Sequence, residues 1–232
     1  MTVAGAPGLN PARQVRADEP VLVTGDPPRF VSRGGEKLQA AVERFGLAGE
    51  IAGASALDAG ASTGGFTDCL LQSGAAHVTA VDVGYGQLHE KLRDDPRVEV
   101  HDRTNIRELA PDEPFDLAVA DLSFISLRTV LPTLLAGVKP GGPLVLLAKP
   151  QFEAPREDAA KGRGVITDRN VWRTVLEGLR DAIHANGAAI MGAMVSPLHG
   201  ADGNVEFLLL ARAAATGEEH LDIGQLIDEA SG

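Results

Sequence analysis

Cysteine is nearly absent from this 232-residue chain, and the single thiol, Cys69, excludes an internal disulfide and any all-cysteine zinc site. Aromatic residues are scarce at 4%, and no apolar run approaches the ~20 residues that cross a bilayer, which excludes a membrane-spanning helix. The first twenty residues have no basic start, no apolar stretch and no small-residue cleavage site. Nothing there argues for export, and a cytoplasmic protein that binds no metal is the expectation. Positive charge is also short: 21 Lys and Arg stand against 32 Asp and Glu, for a net charge of −11. The bulk value disfavours a polyanionic partner, because phosphate backbones are held by clusters of basic side chains. The distribution changes that reading. Residues 213–232 hold Glu218, Glu219, Asp222, Asp228 and Glu229 with no Lys or Arg, as expected of an acidic tail, solvated or disordered. Two windows, Phe30 to Arg44 and Lys149 to Arg173, carry much of the basic charge.

What is present is a core-forming composition, 44% hydrophobic and 23% charged, enough for one full domain with a small appendage. Between Ala54 and Arg212, short apolar runs alternate with segments of helical period, the pattern of a parallel α/β sheet. Strands are expected over 54–59, 77–83, 98–101, 115–120, 143–148, 188–195 and 205–211, where Val, Leu and Ala suit burial on both faces. Helices are expected over 65–73, 88–94 and 126–138, and from the Asp168 N-cap to the Asn186-Gly187 stop. Ser32 to Phe45 reads as an amphipathic helix capped by Ser32. The link between the last two strands is too short for a helical crossover, so they should be antiparallel neighbours. A doubly wound seven-stranded sheet with an antiparallel last strand is the architecture of class I methyltransferases, a Rossmann-like arrangement.

The strongest local signal is Leu57-Asp58-Ala59-Gly60-Ala61-Ser62-Thr63-Gly64-Gly65-Phe66, between the first strand and the next helix. A glycine turn there lets a ligand approach the backbone. Its spacing is G-x-x-x-G-G rather than G-x-G-x-x-G, which favours a cofactor without a pyrophosphate. Asp58 at the strand end can accept from an ammonium group. Asp82, ending the second strand, can accept from both ribose hydroxyls, and Asp102, after the third, stands where adenine contacts are made. Together with the loop residues Gly60, Ser62, Thr63, Gly64, Gly65 and Phe66, and with Asp121 after the fourth strand, they suit S-adenosylmethionine. The competing reading is a bare glycine turn beside strand-capping acids.

The topology brings further groups to the same rim. Asp121 follows the fourth strand, Lys149 follows the fifth and Glu206 opens the last, while Lys37 on the preceding helix, taken alone, reads as an exposed lysine. From about Phe30 to Leu210 the chain resembles the TlyA/hemolysin-A family of FtsJ-like ribosomal RNA methyltransferases. The resemblance is carried by Val31-Ser32-Arg33-Gly34-Gly35, the Asp58-to-Phe66 loop, Val81-Asp82-Val83-Gly84-Tyr85-Gly86-Gln87-Leu88 and Arg103-Thr104-Asn105. Asp121-Leu122-Ser123-Phe124-Ile125-Ser126, Lys149-Pro150-Gln151-Phe152-Glu153 and Gly203-Asn204-Val205-Glu206-Phe207 complete it. FtsJ-like enzymes use a Lys-Asp-Lys-Glu tetrad for ribose 2′-O methylation, and the matching positions are Lys37, Asp121, Lys149 and Glu206. The resemblance implies cytidine 2′-hydroxyls of small- and large-subunit ribosomal RNA as substrate, with ribosomal subunits as partners.

A ribose hydroxyl is a poor nucleophile, so such a site must orient it and accept its proton. Lys149 is expected to act as general base or proton acceptor, held by Asp121 and Glu206, with Lys37 positioning the hydroxyl. RNA contact is expected from Arg29, Arg33, Arg103, Arg156, Lys161 and Arg163, each of which also reads as an ordinary solvated charge. Phe124 and Phe152 are candidate stacking partners for an extruded nucleotide, against core packing as the alternative. By the same resemblance, residues 1–28 correspond to a remnant of an N-terminal RNA-binding module, its terminal strand region with Asn10-Pro11-Ala12-Arg13 in a late turn. Residues 29–212 form the methyltransferase domain. The rival classes are a non-catalytic RNA-binding assembly factor, a membrane-active hemolysin and an NAD dehydrogenase. The second is disfavoured by the lack of a basic amphipathic surface and the third by the glycine spacing.

Overall fold

The computed structural model describes residues 2–7, 14–22, 27–200, 202–215 and 221–231. Seven strands form one sheet: β1 (Ser55–Ala59), β2 (His77–Val81), β3 (Val98–His101), β4 (Leu117–Ala120), β5 (Pro143–Ala148), β6 (Ala189–Val195) and β7 (Phe207–Arg212). Their order is β3-β2-β1-β4-β5-β7-β6, with β7 antiparallel to both neighbours and the first five strands parallel. This is the expected architecture, with strand ends within two residues of those read from the sequence.

The strands form where they do because alternate apolar side chains serve two cores. Leu144, Leu146 and Ala148 of β5 join Phe207, Leu209 and Ala211 of β7 on one face, while Val145, Leu147, Leu208 and Leu210 face the other. Helices α1 (Gly34–Phe45), α2 (Ala48–Ile51) and α3 (Gly65–Gln72) cover the second face. There, burial pushes the Cys69 thiol up to about 12, as befits a helix core residue. The remaining helices are α4 (Glu90–Arg93), α5 (Leu127–Ala136), α6 (Pro150–Glu153), α7 (Arg156–Lys161), α8 (Arg169–Ala185) and α9 (Ile223–Ala230). Of these, α5, α8 and α9 close the first face. Asp168 caps α8 as read, accepting from Asn170 N at 2.8 Å, and Trp172 packs edge-on against Phe207.

Three local expectations change. Ser32 does not cap α1, which opens at Gly34 after Arg33 with no side-chain cap. The Ser32 hydroxyl instead abuts α3, where a Cβ on Gly65 would lie 2.3 Å from it. The helix expected over 88–94 is the single turn α4, capped by His89. The acidic segment is not a free tail in its described part: Asp222 caps α9, and Ile223, Leu226 and Ile227 bury at helical spacing against the α8 face. Glu218 and Glu219 lie outside the described residues, as do Asn10 to Arg13 and Gly25-Asp26. Near the start, Thr2–Val3 pairs antiparallel with Ala6–Pro7 and with Val21–Leu22.

Candidate active site

Because β1, β2, β4 and β5 are parallel, their carboxyl ends share one rim, and β7 presents its start there. Phe207 is opposite Ala148 in the β7–β5 ladder, so Glu206 and Lys149 occupy the next rung. Ala59 is opposite Ala120, which sets Gly60 beside Asp121. Gly60 has φ +87, and a Cβ on it would stand 2.6 Å from the Asp121 carbonyl oxygen. Only glycine meets both demands.

A cavity of about 370 Å³ gathers the four charged residues from four elements: Lys37 from α1, Asp121 after β4, Lys149 after β5 and Glu206 before β7. Lys37, Lys149 and Glu206 are buried, so they are sustained by pairing. Lys149 Nζ is 2.5 Å from Asp121 Oδ1 and donates to Ser123 Oγ at 3.1 Å. Lys37 Nζ donates to Glu206 Oε2 at 2.5 Å. The expectation that both carboxylates hold Lys149 is therefore corrected: the tetrad is two separate pairs, because the helix that brings Lys37 in aims it at Glu206. Gln151, which the sequence reading did not single out, lines the same cavity with a buried Oε1 that has no hydrogen-bond donor.

A second cavity, of about 480 Å³, shares Gly60, Ser62, Asp121, Ser123 and Phe124 with the first. Asp82 lies in its wall, fixed by Ser62 N on Oδ2 at 2.9 Å and Gly84 N on Oδ1 at 2.7 Å. Each oxygen retains a second lone pair for a hydroxyl. Apolar Val83, Ile106, Leu122 and Ile125 face it, with Thr104 and Asn105 supplying polar edges. An apolar-lined cavity with a carboxylate in its wall suits an adenosine, with Asp82 for the ribose diol. The turn at Gly60 leads from there to the charged tetrad. Thr104 and Asn105 belong to the Arg103-Thr104-Asn105 motif, and no spacing in the sequence marks them as cavity residues.

The other loop residues divide. Ser62, Thr63, Gly65 and Phe66 line the tetrad cavity. Gly64 does not; it packs against Leu88 and Leu92. Asp58 is not in either wall. It is wholly buried beneath the loop, with Oδ2 accepting from the Thr67 hydroxyl at 2.6 Å and Oδ1 without a hydrogen-bond partner. Burial pushes its carboxyl up to about 7, against the Thr67 hydrogen bonds and with the help of the Asp121 and Asp82 charges. Asp102 is likewise outside the second cavity: its Oδ2 accepts from Arg93 Nη2 at 3.0 Å and from Gly86 N at 3.2 Å. The structure brings neither acid to the place expected of it.

Of the basic candidates, Arg33 lines the tetrad cavity. Arg29 lies over the Phe30 ring at 4.9 Å and Arg103 over the Tyr85 ring at 4.3 Å. Arg156, Lys161 and Arg163 are exposed along and just after α7, with Lys161 paired to Asp158 at 2.7 Å. Phe124 is 92% exposed at φ +65, so core packing is not its role. Its ring centroid is 5.1 Å from that of Phe152 beside the tetrad.

Comparison with known proteins agrees with this geometry. The model of the FtsJ-like methyltransferase family matches residues 30–213. The chain is 47% identical over 215 residues to the 16S/23S rRNA (cytidine-2′-O)-methyltransferase TlyA of Mycobacterium tuberculosis, covering 90% of this chain and 79% of that protein. It is 39% identical to a solved hemolysin-named protein of Lactococcus lactis, with a TM-score of 0.82 covering 88% and 99% of the two chains. The N-methyltransferase NodS of Bradyrhizobium japonicum, solved with S-adenosyl-L-homocysteine, shares the fold at 19% identity and a TM-score of 0.55, over 79% and 89% of the chains.

Proposed function

The chain belongs to the FtsJ-like methyltransferase family, and we propose that it moves a methyl group from S-adenosylmethionine to the ribose 2′-hydroxyl of cytidine in ribosomal RNA. The observation that carries this reading is the meeting of Lys37, Asp121, Lys149 and Glu206 in one cavity whose wall is shared with an apolar-lined cavity that suits an adenosine. Asp82 would hold the ribose diol of the cofactor, Val83, Ile106 and Leu122 its base, and the Gly60 turn its amino-acid end. When bound, the cofactor supplies an electrophilic methyl on a sulfonium.

The chain's own residues do the rest. Lys37, anchored by Glu206, and Ser123, beside Lys149, offer polar groups that orient the hydroxyl. The hydroxyl proton passes to the Lys149–Asp121 pair, either directly to Asp121 Oδ1 or to Nζ as Nζ hands one of its own protons to Oδ1, so that the pair ends as ammonium and carboxylic acid. Because Lys149 is buried and Asp121 only partly exposed, the pair is fixed before substrate arrives, which removes reorganisation from the reacting step. Phe124, exposed on the cavity wall, offers a stacking face to a nucleotide drawn out of its helix, and Arg33 a contact for phosphate. Among the described residues no helix is long and apolar enough to cross a membrane.

The test is transfer of labelled methyl from S-adenosylmethionine to unmodified ribosomal subunits and to their free RNA, followed by nuclease digestion and identification of the modified nucleoside. We expect 2′-O-methylcytidine from the wild-type chain and at least a hundredfold less from Lys149→Ala, with cofactor affinity unchanged. Label on a base, or full turnover in Lys149→Ala, would overturn the proposal.

A further inference from the structure

The tetrad accounts for the beginnings of two loops but not for their far ends. After β4 the chain runs Asp121-Leu122-Ser123-Phe124-Ile125-Ser126 into α5, and after β5 it runs Lys149-Pro150-Gln151-Phe152-Glu153 along α6. These two loops touch at successive levels. At the rim, Lys149 Nζ meets Asp121 Oδ1 and Ser123 Oγ. Midway, the Phe124 and Phe152 rings lie 5.1 Å apart at 52°. At the far end stands Glu153, whose side chain is almost completely buried.

Glu153 meets the other loop with every polar atom it has to offer there. Oε2 accepts from the Ser126 hydroxyl at 2.5 Å and Oε1 from Leu127 N at 2.6 Å, the first amide of α5. Arg128 closes the contact: its Nε lies 3.5 Å from Oε2, and its Nη2 donates to the Glu153 backbone carbonyl at 2.5 Å. A carboxylate at a helix N-terminus is favoured electrostatically, and one accepting two short hydrogen bonds away from water is a strong and directional tie.

We infer that Glu153 is a positioning residue for methyl transfer: by clamping the end of α6 to the start of α5 it fixes the spacing of the loops that carry Lys149 and Asp121. It never reaches the cavity and touches no reacting atom. Without its carboxylate, the polar ties left between the two loops among the described residues are those of Lys149 to Asp121 and Ser123 and of Arg128 to the backbone carbonyl of residue 153, beside one aromatic contact of which Phe124 is exposed and at a left-handed φ. A pair with no such frame settles where its own attraction puts it, and the productive placement of Nζ is lost. The same clamp fixes the stacking face of Phe124 relative to the tetrad.

This inference rests on the proposed methyl transfer, so the test carries a readout that needs no turnover. Three variants are compared with the wild-type chain: Glu153→Ala, Glu153→Gln, and Asp222→Ala, which removes the cap of α9 and lies in the wall of neither cavity of the site. Each is assayed for kcat and KM on ribosomal RNA, for cofactor affinity, for melting temperature, and for the rate at which Lys149 is acetylated by acetic anhydride, read by mass spectrometry. Glu153→Ala is expected to lower kcat at least tenfold with cofactor affinity within twofold, and to raise Lys149 labelling at least threefold. Glu153→Gln, which keeps an acceptor for Leu127 N, is expected to recover much of both. Asp222→Ala is expected to lower the melting temperature comparably and change neither kcat nor labelling.

Labelling of Lys149 in Glu153→Ala within twofold of wild type would overturn the inference, as would a loss of kcat equal to that of Asp222→Ala. If the wild-type chain transfers no methyl to RNA, the proposed function fails, while the labelling ratio alone still decides whether Glu153 sets the exposure of Lys149.

Discussion

Asp58 offers a quantitative test of how the cofactor loop is held. Its carboxyl is wholly buried with one oxygen unpartnered, and desolvation, abetted by Asp121 and Asp82, raises its folded-state pKa to about 7 from the ordinary 3.8. The folded chain therefore binds a proton more tightly than the unfolded chain does. The stabilising contribution of that proton is fully present below pH 4 and is lost as pH rises through about 7, the reverse of an ion-paired aspartate. Over the whole range the difference is about 4 kcal/mol, and between pH 5 and 8.5 it is roughly 3 kcal/mol, at 1.36 kcal/mol per pKa unit. Asp58→Asn keeps the oxygen that accepts from Thr67 and cannot ionise. Urea denaturation of both proteins at half-unit pH steps isolates the effect, since titrating groups not coupled to Asp58 cancel in the difference. The stability of Asp58→Asn relative to wild type should rise by roughly 3 kcal/mol from pH 5 to pH 8.5, with half of the rise reached near pH 6 and the curve levelling off above about 7. A difference that is flat with pH, or one that falls, would refute the account of Asp58 as a carboxyl kept neutral by burial.

Three further outcomes are expected. Gly60→Ala places a Cβ 2.6 Å from the Asp121 carbonyl at a φ that only glycine favours, and should weaken cofactor binding at least tenfold by calorimetry and cost about 1–3 kcal/mol of stability. Phe124→Gly relieves the left-handed φ and removes almost no buried surface, so its melting temperature should hold or rise, while KM for ribosomal RNA rises at least tenfold in the methyl-transfer assay. Leu226→Ala removes an α9 side chain buried to 4% exposure in the core, and should cost about 2–4 kcal/mol in denaturant titration, where a free acidic tail would lose nothing.

Most of the sheet was legible in the sequence because its strands are covered on both faces: runs such as Pro143–Ala148 must be apolar at every position. Three of the tetrad, Asp121, Lys149 and Glu206, were legible because strand ends on one rim need only topology to be brought together, whereas Lys37, on a helix, is singled out only by the family resemblance. What escaped depends on where a side chain turns at the end of its strand. Asp58 and Asp82 both end neighbouring strands next to the cofactor loop. Thr67 on α3 draws the first beneath the loop, whereas Ser62 N and Gly84 N hold the second at the cavity wall. Asp102 was claimed by Arg93, and no spacing rule announces that bond. Nothing in the sequence marks a role for Glu153, at the end of Lys149-Pro150-Gln151-Phe152-Glu153, because its partners are 25 to 27 residues away and meet it only in the folded chain. The α9 helix is different: Asp222 followed by Ile223, Leu226 and Ile227 was a readable cap and stripe, outweighed by the run of acids around it.

The distribution of charge at the rim also argues for the kind of ligand it takes. Lys37 with Glu206 and Lys149 with Asp121 make the tetrad neutral overall, so it neither attracts nor repels an ion at long range. Asp58 keeps its proton up to about pH 7, which leaves Asp82 as the uncompensated charge in the second cavity. A net field of about one negative charge, in a slot walled by Val83, Ile106 and Leu122, matches a ligand carrying one net positive charge and an apolar base. A dinucleotide would use the same acid for its ribose diol, so Asp82 selects for a ribose and the glycine spacing for the lack of a pyrophosphate.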